Sequence, residues 1–341
     1  MKRNSKIVIG VIALIIVVGL CIGRKLILWY TDNKQPNFSH ETVLYVYPGM
    51  DAGQVMTMIC DSAGVRRPHS LKRAFEDKKV SEYLQPGRYI IKPSSTSVYV
   101  ARMLNNCWQT PVGMTLSGTM RTKESIARKI GNQMLVDSAE VYAALCDNEL
   151  LSHYGFNSKN VFSMFIPDTY EMYWTASIEE ILLKQKQAYD AFWTKSNLSK
   201  AKAQGLTKEE VSILASIVSG ETNHVPEMPS VAGVYLNRLH SGMKLQADPT
   251  VAFCFDYKLK RVLLKHLEVN SPYNTYRYEG LPPGPIAVPQ KEALEAVLNP
   301  DKHGYLYFCA SPSFDGTHRF AATYSEHLKN AAAFQAALNR R

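Results

Sequence analysis

No two of the six cysteines sit at the spacing of a zinc site or of a small disulfide framework. Cys21 falls in an apolar run, and Cys60, Cys107, Cys146, Cys254 and Cys309 are an odd set at wide, irregular intervals. The chain also lacks an H-E-x-x-H helix, a G-x-S-x-G elbow and a Gly-rich phosphate loop, and His224, His240 and His266 have no partner at ligand spacing. Metal, serine-hydrolase and nucleotide chemistry are therefore set aside, and no cofactor is expected. Nucleic acid is not an expected partner either. The net charge of +9 includes Lys2, Arg3, Lys6, Arg24 and Lys25, set in residues 1–30 without any acid, which leaves only +4 for the rest. Nowhere does a run of Lys and Arg alternate with aromatics.

One long apolar run is present. In "MKRNSKIVIGVIALIIVVGLCIGRKLILWY" the stretch from Ile7 to Gly23 is uncharged. At ~1.5 Å per residue, and extended by Leu26 to Tyr30 past a snorkelling Arg24–Lys25 pair, it is long enough for a ~30 Å hydrocarbon core. A tail over 1–6 and a single transmembrane anchor over 7–30 are expected. A cleaved signal peptide is the competing reading, but no A-x-A-like site follows, and Arg24 and Lys25 stand where small residues are wanted. Leu20 before Cys21 also suits a lipoprotein signal poorly. Basic residues flank both ends of the run, yet the very short tail fits an N-terminus inside the cytoplasmic membrane and the remainder outside.

The full chain is 46% hydrophobic and 20% charged, an ordinary globular composition, and its 341 residues allow more than one folding unit. A strand, a turn and a helix are expected in "TVLYVYPGMDAGQVMTMICDSAG" (42–64), and the pattern returns at 87–106 and 112–132. The aromatic stretch 160–174 is broken at Pro167-Asp168. A long amphipathic helix is expected over 177–197, closed by the polar "LSKAKAQGLT". Thr207 and Glu210 form a T-x-x-E capping box that opens the next helix. Another helix is expected over 230–240 before Gly242, then a long loop, a helix over 291–298 and a strand-like 304–311. The fold class is α+β.

The helix opened by Thr207 contains "ILASIVSGETN", where Ile213, Ile217 and Glu221 follow at i, i+4 and i+8 beside Leu214 and Val218. Glu221 thus starts from the apolar side of the helix. A carboxyl kept from water has a raised pKa and stays protonated near neutrality, as a general acid must. The plainer reading is a helix-end Glu that turns to solvent past Gly220. The surroundings bear on the choice: "NRL" (237–239), "LQADPT" (245–250), "YNTY" (273–276) and "GLPPGPIAVP" (280–289) supply amides, an Arg, an Asp, aromatics and a stiff proline-rich loop. Together they look like the lining of a sugar cleft. Singly each has a structural alternative: Asn237 and Arg238 as caps or pairs, Asp248 as a turn starter, Tyr273 and Tyr276 as packing aromatics.

The ordered set "FIPDTY" (165–170), "LASIVSGET" (214–222), "VAGVYLNRL" (231–239), "LQADPT", "YNTY" and "GLPPGPIAVP" resembles the MltG (YceG-like) family of endolytic murein transglycosylases, over about 42–335. Any one motif alone is unspecific; six in order are not. The resemblance implies a catalytic acid at Glu221 and substrate-binding positions at Asn237, Arg238, Gln246, Asp248, Tyr273, Asn274 and Thr275, with no metal. It further implies a LysM-like α+β module at 42–108, a connecting α+β region at 109–198 and a helix-rich α+β catalytic domain at 199–341. Two departures stand out. Ser219 and Gly220 precede Glu221 where the family often carries charges, and "FSMFIPDTY" lacks the Gly-Tyr that commonly precedes its Pro-Asp.

The implied reaction cleaves the MurNAc-β-1,4-GlcNAc bond within nascent peptidoglycan strands and leaves 1,6-anhydro-MurNAc ends, terminating elongation, with peptidoglycan synthases as partners. Two rivals stay open: a hydrolytic muramidase with Asp248 or Asp256 as second carboxylate, and a non-catalytic wall-binding scaffold.

Overall fold

The first element is one long helix that no proline interrupts: α1 runs Lys2–Asn33. The computed structural model describes residues 2–340, and side chains from Ile7 onward. Met1 of the expected tail and Arg341 of the expected catalytic domain lie outside the described residues. Ile7–Asn33 is long and apolar enough to cross a membrane, and its large apolar side chains from Ile7 to Ile27 are exposed. The helix ends on a fixed point. Asp32, 5% exposed, accepts from Arg73 Nε at 3.0 Å and Nη2 at 2.7 Å.

Two compact units follow: residues up to Val112 with Glu171–Thr175, and Gly113–Tyr170 with Ala176 onward. Residues 113–170 and 176–198, read from sequence as a connecting region, belong to the same unit as 199 onward. In the first unit, β1 (Thr42–Val46) leads to α2 (Ala52–Ser62), α3 (Pro68–Asp77), α4 (Val80–Tyr83), β2 (Gly87–Ile91) and α5 (Ser97–Asn105). Asp51 opens α2 with a capping box: its carboxylate accepts from Gln54 N at 2.8 Å, while Gln54 Oε1 accepts from Asp51 N at 3.0 Å. Pro68 suits the first position of α3, where its missing N–H costs no helical bond. β1 and β2 pair antiparallel with Leu44 opposite Tyr89, and the period of two turns Leu44, Val46, Tyr89 and Ile91 onto a core with Val55, Ile59, Leu71 and Leu104.

The second unit begins within β3 (Val112–Leu116) and continues through α6 (Lys123–Gly131), α7 (Ser138–Cys146), α8 (Asn148–Ser152), β4 (Asp168–Met172), α9 (Ile178–Phe192) and α10 (Lys195–Ala203). Then come α11 (Lys208–Glu221), α12 (Met228–His240), α13 (Asp248–Cys254), α14 (Lys291–Leu298), β5 (Tyr307–Ala310), β6 (His318–Ala321) and α15 (Tyr324–Leu338). Its centre is the contact of α11, α12 and α14, where Leu214, Ile217, Val218, Val231, Val234, Leu294 and Val297 are fully buried. Each such side chain contributes roughly 1.5–3 kcal/mol relative to exposure. β5 and β6 form an antiparallel hairpin with Phe308 opposite Phe320.

The single helix expected over 177–197 is two. Trp193 closes α9, and Thr194 caps α10 by accepting from Asn197 N at 3.2 Å. The polar stretch read as a closing boundary is itself helical, because it is rich in Lys and Ala and its Ala201 is buried. It stops at Gly205, whose φ of +74° lets the chain turn back so that Leu206 N reaches Ala201 O at 3.0 Å. No expectation from sequence covered α7, α8, α13 or α15.

Arg73→Met should destabilise the first unit by about 1–3 kcal/mol, since Asp32 would be left with little water and no cation. Faster amide exchange in α3 and α5 would register it; unchanged exchange would mean the pair holds nothing.

Candidate active site

Glu221 is placed by how α11 starts and stops. Thr207 and Glu210 close the expected capping box, with Thr207 Oγ1 accepting from Glu210 N at 3.2 Å and Glu210 Oε2 from Thr207 N at 2.8 Å. Glu209 and Glu210 in the first turn suit the positive end of the helix dipole. From that fixed start the apolar stripe of Leu214, Ile217 and Val218 is driven into the core, and Glu221 is the last helical residue. Thr222 is extended, and its Oγ1 accepts from His224 N at 2.9 Å, so the chain leaves the helix axis there.

Glycine at 220 answers to a close approach. A Cβ there would lie 2.7 Å from Pro249 Cβ and 2.9 Å from Pro249 Cγ. Only without that atom does the Asp248-Pro249 start of α13 seat against the end of α11. Ser216 and Ser219 have the complementary role. Ser216 Oγ accepts from Ile286 N and Ser219 Oγ from Gln290 N, both at 3.0 Å, which fixes the proline-rich loop on the same helix.

The carboxyl of Glu221 accepts from Tyr235 Oη at 2.5 Å. Burial pushes its pKa from the ordinary 4.5 up to about 7; the Tyr235 hydrogen bond and the Arg238 charge pull it down, and the Asp248 charge pushes it up. Tyr235 is itself fully buried and raised well above its usual range by that burial and by the adjacent Glu221. Glu221 is half-buried and still forms part of the wall of a 660 Å³ cavity. The other side of that cavity includes Ser311, Asp315 and His318 of the β5–β6 hairpin and Phe334 of α15. The hairpin is tied back by Glu227, which accepts from His318 N at 2.8 Å and faces His318 Nδ1 at 3.1 Å. A protonated carboxyl at the edge of a water-accessible hollow is able to deliver its proton to a bound oxygen and take one back.

The other residues singled out from sequence divide into two groups. Asn237, Arg238, Asn274 and Thr275 hold backbone. Asn237 Nδ2 donates to His303 O at 2.8 Å and Tyr305 O at 3.0 Å. Arg238, 7% exposed, donates to Leu306 O at 2.6 Å and Leu245 O at 2.7 Å. Asn274 donates to Leu267 O and Val269 O, both at 2.8 Å. Thr275 Oγ1 accepts from Ala247 N at 3.0 Å and meets Thr250 Oγ1 at 2.8 Å, latching "YNTY" to "LQADPT". Gln246 and Asp248 are exposed, Gln246 with a left-handed φ of 52°. Tyr273 is half-buried against Phe253, with ring centroids 4.6 Å apart.

Tyr235 and the β5–β6 hairpin escaped the sequence reading, and Tyr276 figures there only as an aromatic of the cleft lining or of the packing. Tyr235 lies in the quoted "VAGVYLNRL", and a signal existed: it follows Met228, Val231 and Ala232 at i+7, i+4 and i+3, so a hydroxyl sits on the buried stripe. Tyr276 donates to Asp248 Oδ1 at 2.6 Å, and that carboxylate in turn pushes the Tyr276 hydroxyl above its usual range, after burial. The β5–β6 hairpin wall carried no motif.

One half-buried, readily protonated carboxyl at the wall of a solvent cavity in an α+β fold is an arrangement suited to chemistry by a single acid. A profile of the YceG-like family matches residues 44–333, and the chain belongs to that family. A Bacillus subtilis (strain 168) protein named endolytic murein transglycosylase is 39% identical over 156 residues, 45% of this chain and 42% of that protein. A Streptococcus pneumoniae (strain R6) protein of the same name is 27% identical over 221 residues, 62% of this chain and 39% of that protein. The match thus spans less than half the length of either relative. The fold is similar to a crystal structure of a yceG-like protein from Listeria monocytogenes, with TM-score 0.54, 23% identity, and 85% of this chain and 99% of that chain covered.

Gly220→Ala should cost about 1–3 kcal/mol, because Pro249 is a rigid neighbour and either α11 or α13 must shift. Chemical denaturation reads the cost; a change below a few tenths would mean the approach is slack. Glu221→Gln tests the raised carboxyl through pH. Folded Glu221 keeps its proton up to about pH 7 whereas the unfolded chain loses it near 4.5, so its contribution is full below 4.5 and is lost as pH rises through 7. The variant should therefore gain on the order of 1–3 kcal/mol relative to wild type between pH 4.5 and 8. A pH-independent difference would put the carboxyl in water.

Proposed function

We propose that this chain is a membrane-anchored endolytic peptidoglycan lytic transglycosylase, a lyase that cleaves the MurNAc-β-1,4-GlcNAc bond within nascent strands and so ends their elongation. The observation that carries the reading is the position of Glu221: pKa raised to about 7, hydrogen-bonded by Tyr235, on the wall of a 660 Å³ cavity. Membership of the YceG-like family and the names of its relatives point the same way.

In this mechanism Glu221 gives its proton to the oxygen that bridges muramic acid and glucosamine. The C1–O bond breaks, and the electron pair leaves with the protonated oxygen as the new 4-hydroxyl of glucosamine. The carboxylate then accepts the proton of the muramic C6 hydroxyl as that oxygen bonds to C1, which closes the 1,6-anhydro ring. Atoms balance without water, and the substrate's own hydroxyl replaces a second carboxylate by proximity. No metal or cofactor enters the scheme. Asp248, the acid whose charge reaches Glu221, is held by Tyr276 and serves to keep Glu221 protonated. Of the loop residues, Gln246 and Asp248 are exposed to read sugar hydroxyls, and Tyr273 offers a ring. Asn237, Arg238, Asn274 and Thr275 act by holding the loops that carry them.

The assignment of parts belongs to the same proposal. Residues 7–30 anchor the chain in the cytoplasmic membrane with the tail inside and the remainder outside. Residues 42–108 form a LysM-like module, a reading supported by two antiparallel strands that bracket α2 to α4. Residues 199–341 form the catalytic domain, fed by peptidoglycan synthases.

Mass spectrometry of digested peptidoglycan decides the chemistry. Wild type should release fragments with 1,6-anhydro ends, and Glu221→Gln should lower the rate at least 100-fold, the scale of a lost general acid. Cleavage should also fall as pH rises through about 7, where free Glu221 loses its proton. Reducing ends would establish hydrolysis instead, and undiminished cleavage by the variant would remove Glu221 from the reaction.

A further inference from the structure

We propose that the first unit holds a binding site for the phosphate of a membrane-lipid headgroup. A 580 Å³ cavity in this unit has Asn33, Lys92, Ser94, Tyr99, Arg102 and Trp108 in its wall. Lys92 and Arg102 are exposed and form none of the ion pairs found among the described residues. Among the described residues placed in its wall none is acidic. Two cations without a counter-charge in one hollow select an anion. Arg102 supplies the planar fork that grips phosphate oxygens and Lys92 a point charge, with the Ser94 hydroxyl as a further donor. Beside them Tyr99 and Trp108 lie 5.8 Å apart, each about half exposed at 47% and 48%. Such amphipathic rings settle where hydrocarbon meets headgroup.

Depth identifies the source of the phosphate. The apolar run of α1 ends at the exposed Trp29 and Tyr30, and Asn33, in the cavity wall, comes three residues later. At ~1.5 Å per residue that is about 4.5 Å along the helix. The headgroup layer is about 5–7 Å thick on each side of the hydrocarbon core. Asn33 therefore stands within that layer. The hollow is also held there, since the Asp32–Arg73 pair fixes the end of α1 to α3, and α1 packs on α5, the helix that bears Tyr99 and Arg102. The inference rests on the anchor reading of the Proposed function and is independent of Glu221.

The test uses the full chain in nanodiscs of phosphatidylcholine with a minority of phosphatidylglycerol, extracted into detergent for native mass spectrometry. Wild type should retain phosphatidylglycerol in preference to phosphatidylcholine. Lys92→Gln combined with Arg102→Gln should lower the retained fraction roughly tenfold, as expected for two cations at a lipid surface. Arg102→Lys should keep most of it. Equal retention by wild type and the double variant would overturn the site, and displacement of the lipid by millimolar inorganic phosphate would assign it to free phosphate instead. Alkaline extraction of membranes that carry the chain reads the anchor separately. Release into the soluble fraction would end both readings; a chain that stays in the membrane without retaining lipid would end this one alone.

Discussion

Everything at the candidate site depends on one close approach, Pro249 on Gly220 at the end of α11. The core drives α11 inward, and its last residue, Glu221, is an acid whose pKa burial raises at the wall of a cavity. A side chain at 220 would hold the Asp248-Pro249 turn away. With that turn seated, Asp248 is close enough for its charge to raise the pKa of Glu221. Glycine thus belongs to the electrostatics of the carboxyl as much as to the shape of the helix end.

Around that contact the fold uses polar side chains to fix loops. Ser216 and Ser219 take N–H groups from the proline-rich loop, Thr275 and Thr250 join two loops to each other, and Arg238 holds carbonyls of Leu245 and Leu306. Proline-rich and turn-rich segments have few internal hydrogen bonds, so their backbone groups need outside partners when buried. The result is a rigid floor under an exposed rim that carries Gln246 and Asp248. Tyr235 links the floor to the carboxyl, because its hydrogen bond lowers the pKa of Glu221 against the larger effect of burial.

Much of this was written in local patterns. Periodicity put Glu221 on the buried face of its helix, the T-x-x-E box fixed where that helix starts, and the ordered motifs marked the loops that gather near it. Local patterns failed where long-range contact decides. The break between α9 and α10 is the exception, a local cap in which Thr194 accepts from Asn197 N three residues on. The hairpin wall of Ser311 to His318 has no periodicity to read, and it is held by a Glu227–His318 pair 91 positions apart.

The sequence by itself determined an apolar span, an α+β succession and a carboxyl in an apolar stripe, because each depends on spacing along a few turns of chain. Only the tertiary structure decided how far that carboxyl is dried, that Tyr235 and not an amide is its hydrogen-bond partner, and that Asn274 and Thr275 serve as latches. Those depend on distances between segments far apart in the chain. Burial and Coulomb energy follow distance in space, which chain spacing does not encode.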